Sequence, residues 1–359
     1  MNDKMIDSPT EDGCSLWDVV GTAKAATLLR RMADEGRVPH ALLLAGPPRV
    51  GKARLALELA CALNHQEQDC RQCARIRGGK HADVEVVAPG GLTLEASSDN
   101  PRSRVISIAQ VRRLEMVAAS HPYEGRQRVF IVDPADAMND DAADAFLKTL
   151  EEPASFVTFV LVTARPALLK ETVLSRCTRI DVAPMPVAEL AAWLSADHEL
   201  DAEQAATLAR LARGRAGWAL DAIEEGDPFA LRHGQIEEIK RLAAQGRAER
   251  FKYAEGLVPR GQLEPVDALT AVEQWSAWWR DVLLLSVGED ERVAHRDHLD
   301  DLHRAVASYR PADVVRFLIA LERSERFLRE GVNPRITLDA LFTQIPEPRE
   351  GRTRVEAAV

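Results

Sequence analysis

Residues 41–53 read Ala41-Leu42-Leu43-Leu44-Ala45-Gly46-Pro47-Pro48-Arg49-Val50-Gly51-Lys52-Ala53. A short apolar run enters a Gly/Pro loop, a lysine closes the loop, and an apolar-rich helical pattern follows from Arg54 to Leu63. Strand, glycine loop, lysine and helix in that order mark a phosphate-binding loop. The order serves the chemistry: backbone N–H groups and the positive end of a helix cradle a polyphosphate, and the lysine adds a point charge. Gly46, Gly51 and Lys52 stand at the motif's spacing. The next position departs from it. A Ser or Thr there brings a hydroxyl to magnesium, whereas Ala53 offers a methyl group, which ligates no metal.

Outward from this loop, the 359 residues are enough for two or three domains. With 46% hydrophobic and 28% charged residues the chain has an ordinary globular composition. A net charge of −10 speaks against a free-standing nucleic-acid binder. It leaves room for a complex in which other chains hold the nucleic acid. The stretch Met1–Cys14 is polar and acidic, so no signal peptide is expected. No apolar run reaches membrane-spanning length, and a cytoplasmic protein is the expectation. Three of the five cysteines, Cys61, Cys70 and Cys73, cluster as a metal pattern of a reducing compartment rather than a disulfide framework.

The periodicity predicts a helix over Leu16–Gly36, then the phosphate-loop unit and a polar insert from Cys61 to His81. A strand is expected at Asp83–Val87, a mobile loop over Pro89–Arg104, and a helix over Ser107–Ser120. Arg128–Asp133 reads as a buried parallel strand ending in an acid. Asn139 is placed to cap a helix whose face holds Ala143, Phe146, Leu147 and Leu150, and Pro153 ends it. Phe156–Thr163 and Thr178–Val182 read as further strands. Strands alternating with helices imply a parallel sheet covered on both faces. After Pro184 and Pro186 the strands stop. Val187–Glu225 reads as short helices broken near Gly214 and Gly217, and Gly226-Asp227-Pro228 marks a boundary. Everything from there to about Ile345 is helical in pattern, including Val266–Val287 and Ala312–Glu330. The polar tail Pro346–Val359 is expected to be disordered.

Asp133 ends its strand where phosphate-loop ATPases place a magnesium-orienting carboxylate, the favoured reading; the alternative is a strand-end carboxylate capping a turn. An ATPase with a catalytic glutamate would carry it next, and Pro134 stands there. Cys61, Cys70 and Cys73 are spaced by nine and three residues. A zinc site needs a fourth ligand; Ile76 holds the next step, and His65 or His81 could substitute. Without metal, the three would be free thiols on a small knob. Trp275, Trp278, Trp279 and Leu283 lie at helical spacing and read as packed core. Arg102–Arg104 and Arg112–Arg113 could meet DNA phosphates, or be solvated loop and helix faces.

Three segments carry a resemblance: Arg37-Val38-Pro39-His40-Ala41-Leu42-Leu43-Leu44 before the loop, Ala143-Asp144-Ala145-Phe146-Leu147-Lys148-Thr149-Leu150-Glu151-Glu152-Pro153, and Ser175-Arg176-Cys177. With them the chain resembles the bacterial replicative clamp loaders, in particular the delta-prime family of DNA polymerase III. The likeness is strongest from Trp17 to Val182 and returns near Gly331-Val332-Asn333-Pro334-Arg335. It implies an AAA+ α/β module with helices on both sheet faces over residues 1–182, carrying the cysteine insert 61–81. A small helical lid over 183–228, an all-α collar over 229–345 and the tail 346–359 would follow. It further implies a ring with motor subunits (gamma/tau) and a delta subunit, which opens a sliding clamp and places it on primed DNA. Arg176 would act in trans on ATP held by a neighbouring motor, a role suited to a permanently charged fork that matches phosphate oxygens. The cysteine module implies zinc on Cys61, Cys70 and Cys73, with Ile76 where the family's fourth cysteine stands. Gly217, in Gly214-Arg215-Ala216-Gly217-Trp218-Ala219-Leu220, replaces the nucleotide-sensing arginine of motor subunits, while Thr163 keeps the place of the first sensor. Gly46, Gly51, Lys52, Asp133 and Thr163 thus outline a degenerate nucleotide site. Ala53, Pro134 and Gly217 are three losses that favour a subunit without ATP hydrolysis. A working motor ATPase and a nucleic-acid-binding zinc protein are the rival readings. No motif suggests polymerase activity in this chain itself.

Overall fold

The computed structural model describes residues 16–17, 19–65, 70–92, 105–198, 200–224, 228–258, 266–329 and 332–349. The chain divides into two units, Met1–Asp221 and Ala222–Val359.

In the first unit the elements run α1 (Ala23–Asp34), β1 (Ala41–Ala45), α2 (Lys52–Asn64), α3 (Cys70–Arg77), β2 (Val84–Ala88), β3 (Gly91–Leu92), α4 (Ile108–Ala118), β4 (Arg128–Val132), α5 (Asp140–Glu151), β5 (Val157–Thr163), α6 (Glu171–Leu174) and β6 (Thr178–Asp181). The helices α7 (Val187–Asp197), α8 (Ala202–Ala212) and α9 (Ala216–Glu224) follow. The sheet order is β3-β2-β4-β5-β1-β6. All pairs are parallel except β2 with the two-residue β3. Every residue of β1 and β5 is buried, which is why both read as near-continuous apolar runs instead of alternating ones. Side chains of a strand alternate between faces. Accordingly Leu42 and Leu44 pack with Leu55, Leu59 and Val160 on one face, while Leu43 packs with Phe130, Phe146 and Phe159 on the other. From β1 the chain crosses to β2 beyond β5 and β4, then returns to end at β6 on the other side of β1. The loop after β1 therefore opens at the carboxyl edge of the sheet, where α/β folds bind ligands.

Several expectations need correction. The first helix starts at Ala23, not Leu16, because Trp17 and Gly21 take left-handed backbone (φ 66° and 84°). The insert 61–81 is not wholly polar: its helix α3 buries Cys73 and Ile76. β3 lies at the start of the expected loop Pro89–Arg104, the rest of which, with Arg102–Arg104, falls outside the described residues. Gly214 breaks the chain with φ 76°, but Gly217 lies inside α9. Of the tail, residues 346–349 are described and tied down by the Arg349 N–H donating to Ser308 O (2.8 Å); the remainder lies outside the described residues. Other boundaries fall within two residues of expectation. Ser107 and Asn139 cap α4 and α5, accepting from the N–H groups of Gln110 and Ala142.

The second unit is all helical: α10 (Pro228–Ala244), α11 (Arg247–Leu257), α12 (Val266–Ser286), α13 (Leu299–Ser308), α14 (Pro311–Arg329) and α15 (Pro334–Phe342), with short 3₁₀ turns before α13. Trp275, Trp278 and Trp279 are core, as their spacing predicts. Trp275 and Trp279 meet Phe317 edge-on at centroid distances of 6.1 and 5.6 Å. Among the described residues no helix is long and apolar enough to cross a membrane.

Candidate functional site

Two glycines let the loop after β1 pass. A Cβ on Gly46 would run into the backbone oxygen of Val182. Gly51 has φ 98° and stands at the N-cap of α2, a conformation that favours glycine. Lys52 then opens the helix, nearly buried, and folds over its own loop. Its Nζ donates to Gly46 O (2.7 Å) and Pro47 O (2.6 Å). Burial pulls its ammonium below the ordinary lysine range, while the charges of Asp133 and Asp136 act against that. Ala53 follows, exposed, with no polar atom on its side chain.

Asp133 stands just beyond β4, its N–H on Val87 O (3.0 Å). Burial pushes its carboxyl up, Lys52 opposes the rise and Asp136 adds to it. Pro134 takes the next position and leads into a 3₁₀ turn at Ala135–Ala137. That turn carries Asp136, which sequence reasoning missed. One Asp136 oxygen accepts from Thr163 Oγ1 (2.6 Å), and the other from Arg165 Nε (2.9 Å) and Nη2 (2.6 Å). Thr163, at the end of β5, thus spends its hydroxyl inside the protein. The acid three residues after Asp133 and the Arg two residues after Thr163 were the available signals.

The start of α9 lies on the loop. A Cβ at Gly217 would stand 2.8 Å from Arg49 O, and Arg49 forms an ion pair with Asp221. The structure therefore gathers Gly46, Gly51, Lys52, Asp133 and Thr163 around a centre that also includes Asp136 and Arg165, with α9 against the loop.

Arg176 follows α6, with 32% of its side chain exposed. Its guanidinium pairs with Glu151 at the end of α5 and donates to Thr172 O (2.9 Å). Its Nε is buried with no hydrogen-bond partner among the described residues. Burial pushes the neighbouring Cys177 thiol up to about 11.

The cysteines do not assemble a four-ligand set among the described residues. Cys61 Sγ points to Cys73 O (3.8 Å) and Cys73 Sγ to His65 Nδ1 (3.5 Å). His81 faces away: its Nδ1 accepts from Asp83 N–H (3.1 Å) and its Nε2 lies 3.8 Å from Glu124. Ile76 is packed among apolar side chains; the Cys70 side chain lies outside the described residues. Among the described residues, only Glu237, His298 and Asp301, in the second unit, bring three candidate ligand atoms within 4.8 Å of one another. The Lys240 ammonium already holds Asp301 (2.9 Å) and Glu237 (2.5 Å) there.

A phosphate loop at the carboxyl edge of this parallel sheet, with Asp133 and Thr163 beside it and helices α7–α9 following, defines an AAA+ type module. A family model described as DNA polymerase III, delta subunit, matches residues 21–186. DNA polymerase III subunit delta' of Pseudomonas aeruginosa is 31% identical over 258 residues, covering 70% of this chain and 70% of that protein. The delta' subunit of Bacillus subtilis is 24% identical over 328 residues, covering 89% and 94%. A solved structure, the DNA polymerase III gamma subunit-related protein of Thermotoga maritima, aligns over 89% of this chain and 97% of that one, at 17% identity and a TM-score of 0.41. The chain belongs to the DNA polymerase III delta' family.

Proposed function

We propose that this chain is a clamp-loader ring member that does not hydrolyse ATP. It takes part in ATP-dependent loading of a sliding clamp onto primed DNA and presents Arg176 to ATP on a neighbouring motor subunit. Its partners are motor subunits of the gamma/tau kind and a delta subunit; clamp and DNA are met through the complex. Residues 1–182 are the base, 183–228 the lid and 229–345 the collar that joins the ring.

One observation carries the reading: the polar groups of the nucleotide cleft are engaged with one another. Lys52 is bonded to its own loop, Thr163 and Arg165 to Asp136, and Arg49 to Asp221. Phosphate would have to displace these bonds, and neither Ala53 nor Pro134 offers the magnesium ligand or base of a working ATPase. Each lost electrostatic stabiliser of a transition state costs ~10²–10³ in rate, so several together leave negligible turnover. Arg176, by contrast, is partly exposed and held only by the Glu151 ion pair and hydrogen bonds to Thr172 O and Ser175 Oγ.

The test is ATP hydrolysis by the purified chain with magnesium, then by the complex reconstituted with motor and delta subunits. No turnover alone, and turnover in the complex that depends on Arg176, is the expected result. Turnover by the isolated chain would make it a motor and remove the reading.

A further inference from the structure

We infer that α3 is fastened to the module by a buried carboxylate–guanidinium fork and an apolar seam, in place of the metal that the family's cysteine module implies. Glu58, on α2, is completely buried. Arg77, the last residue of α3, grips both its oxygens, with Nε at 2.8 Å and Nη2 at 2.7 Å. Arg54 Nε stands 3.1 Å from Oε1, and the Trp17 N–H donates to Oε2 (3.1 Å). A carboxylate so buried is costly unless it is paired and hydrogen-bonded, and a bidentate guanidinium supplies both with fixed geometry. The fork closes the chain between two residues 19 apart, the segment that a metal held by Cys61, Cys70 and Cys73 would clip.

The seam is the second part. Ile76, Cys73 and Cys61 lie in one apolar cluster with Leu55, Leu59 and Val84. Where a fourth thiolate would enter, Ile76 places methyl groups at 1% exposure. The Cys61 thiol donates to the Cys73 carbonyl instead of turning to its sulfur. A zinc ligand must be a thiolate at about 2.3 Å, whereas a thiol buried among aliphatic side chains behaves as a small hydrophobe. Glu58 and Arg77 thus do the mechanical work of a metal clip, and Cys61 and Cys73 are packing residues, Cys73 keeping one polar contact, with His65 Nδ1 at 3.5 Å. This holds whatever Arg176 does.

The experiment uses the full chain, prepared in zinc-supplemented medium without chelators. Zinc content is measured by elemental analysis, and the thermal midpoint is compared with and without EDTA. Substoichiometric zinc and an unchanged midpoint are expected. In parallel, Arg77→Met should speed amide exchange across residues 70–77 about tenfold or more, as local opening becomes cheaper, with the sheet still protected. Arg77→Lys, which keeps the charge but not the fork, should recover only part of that protection. One bound zinc per chain with a midpoint that falls in EDTA would overturn the inference. So would an Arg77→Met chain in which residues 70–77 exchange as in the wild type.

Discussion

Arg176 is held by Glu151 of its own chain, the last residue of α5, while its backbone follows the short helix α6. Both side chains are partly exposed, and exposed ion pairs contribute about 0–1 kcal/mol. The guanidinium can therefore be drawn away by a stronger anion, such as a nucleotide phosphate on a neighbouring subunit, at little cost to this chain. Arg176→Ala is expected to change folding stability by less than about 1 kcal/mol. On the trans role proposed for it, single-turnover hydrolysis by the reconstituted complex should slow ~10²–10³-fold. Glu151→Gln, which releases the arginine without removing it, should keep wild-type turnover; a loss as deep as that of Arg176→Ala would mean that Glu151 itself takes part in the chemistry.

Gly217 is required by the approach of α9 to the phosphate loop. A Cβ there would stand 2.8 Å from Arg49 O, a backbone atom that can give way only if the loop or α9 shifts. Gly217→Ala should destabilise the first unit by about 1–3 kcal/mol, the usual cost of overpacking, even though alanine is the better helix former. Gly217→Arg should also break the Arg49–Asp221 ion pair by lifting α9. Thermal denaturation of the two variants checks both. A Gly217→Ala chain as stable as wild type would show that α9 does not rest on the loop.

The parts of this architecture that could be read from the sequence are those in which burial or capping is local. β1 and β5 are apolar at nearly every position because helices cover both faces of the sheet. Asn139 and Ser107 announce their helices because a cap acts within one turn. What could not be read depends on distant approach. Asp136 matters because Thr163, at the end of β5, and Arg165, just beyond it, reach it from 27 and 29 residues away. Asp221 lies 172 residues from Arg49. Residues Leu16–Thr22 keep a helix-like apolar spacing, yet Trp17 and Gly21 turn the backbone left-handed and the Trp17 N–H is spent on Glu58. Periodicity cannot see such a diversion. The phosphate-loop motif residues could thus be picked out, but the bonds that engage them and their neighbours with one another could not.

Asp83 pins the loop before β4. Its carboxylate accepts from the N–H groups of Tyr123 (2.7 Å), Glu124 (2.8 Å) and Gly125 (2.7 Å). Burial disfavours its charge, but these bonds and the Arg128 guanidinium outweigh burial and hold its pKa below the usual value. A carboxylate with a lowered folded pKa contributes stability above the unfolded value of roughly 3.9, and that contribution is lost as pH falls through the folded value. Asp83→Ala should cost about 1–3 kcal/mol near neutral pH by stranding buried donors. The gap to wild type should narrow on acidification below roughly pH 3.9. Urea denaturation across that range is the measurement; a gap independent of pH would assign the loss to packing alone.

In the second unit Arg250 is a buried cation bound by carbonyls. Its guanidinium donates to Leu242 O (3.1 Å), Ala243 O (3.1 Å) and Phe342 O (3.4 Å). These oxygens lie at the C-terminal ends of α10 and α15, where carbonyls lack helical partners and the helix dipole is negative. One side chain thus closes two helix ends, one 7–8 residues and the other 92 residues from it in sequence. Burial draws its pKa down, but a guanidinium remains charged in water-accessible pH. Arg250→Met keeps the volume but takes the guanidinium from three carbonyls, of which Leu242 O keeps the Gln245 N–H (3.3 Å), so a loss of about 1–3 kcal/mol is expected. Arg250→Lys should recover less than half of it, because an ammonium is a point donor that cannot fork across three oxygens. Chemical denaturation read by exchange at residues 242–257 separates the cases. Equal stability of the lysine variant and wild type would show that charge alone, not the fork, holds the two helix ends.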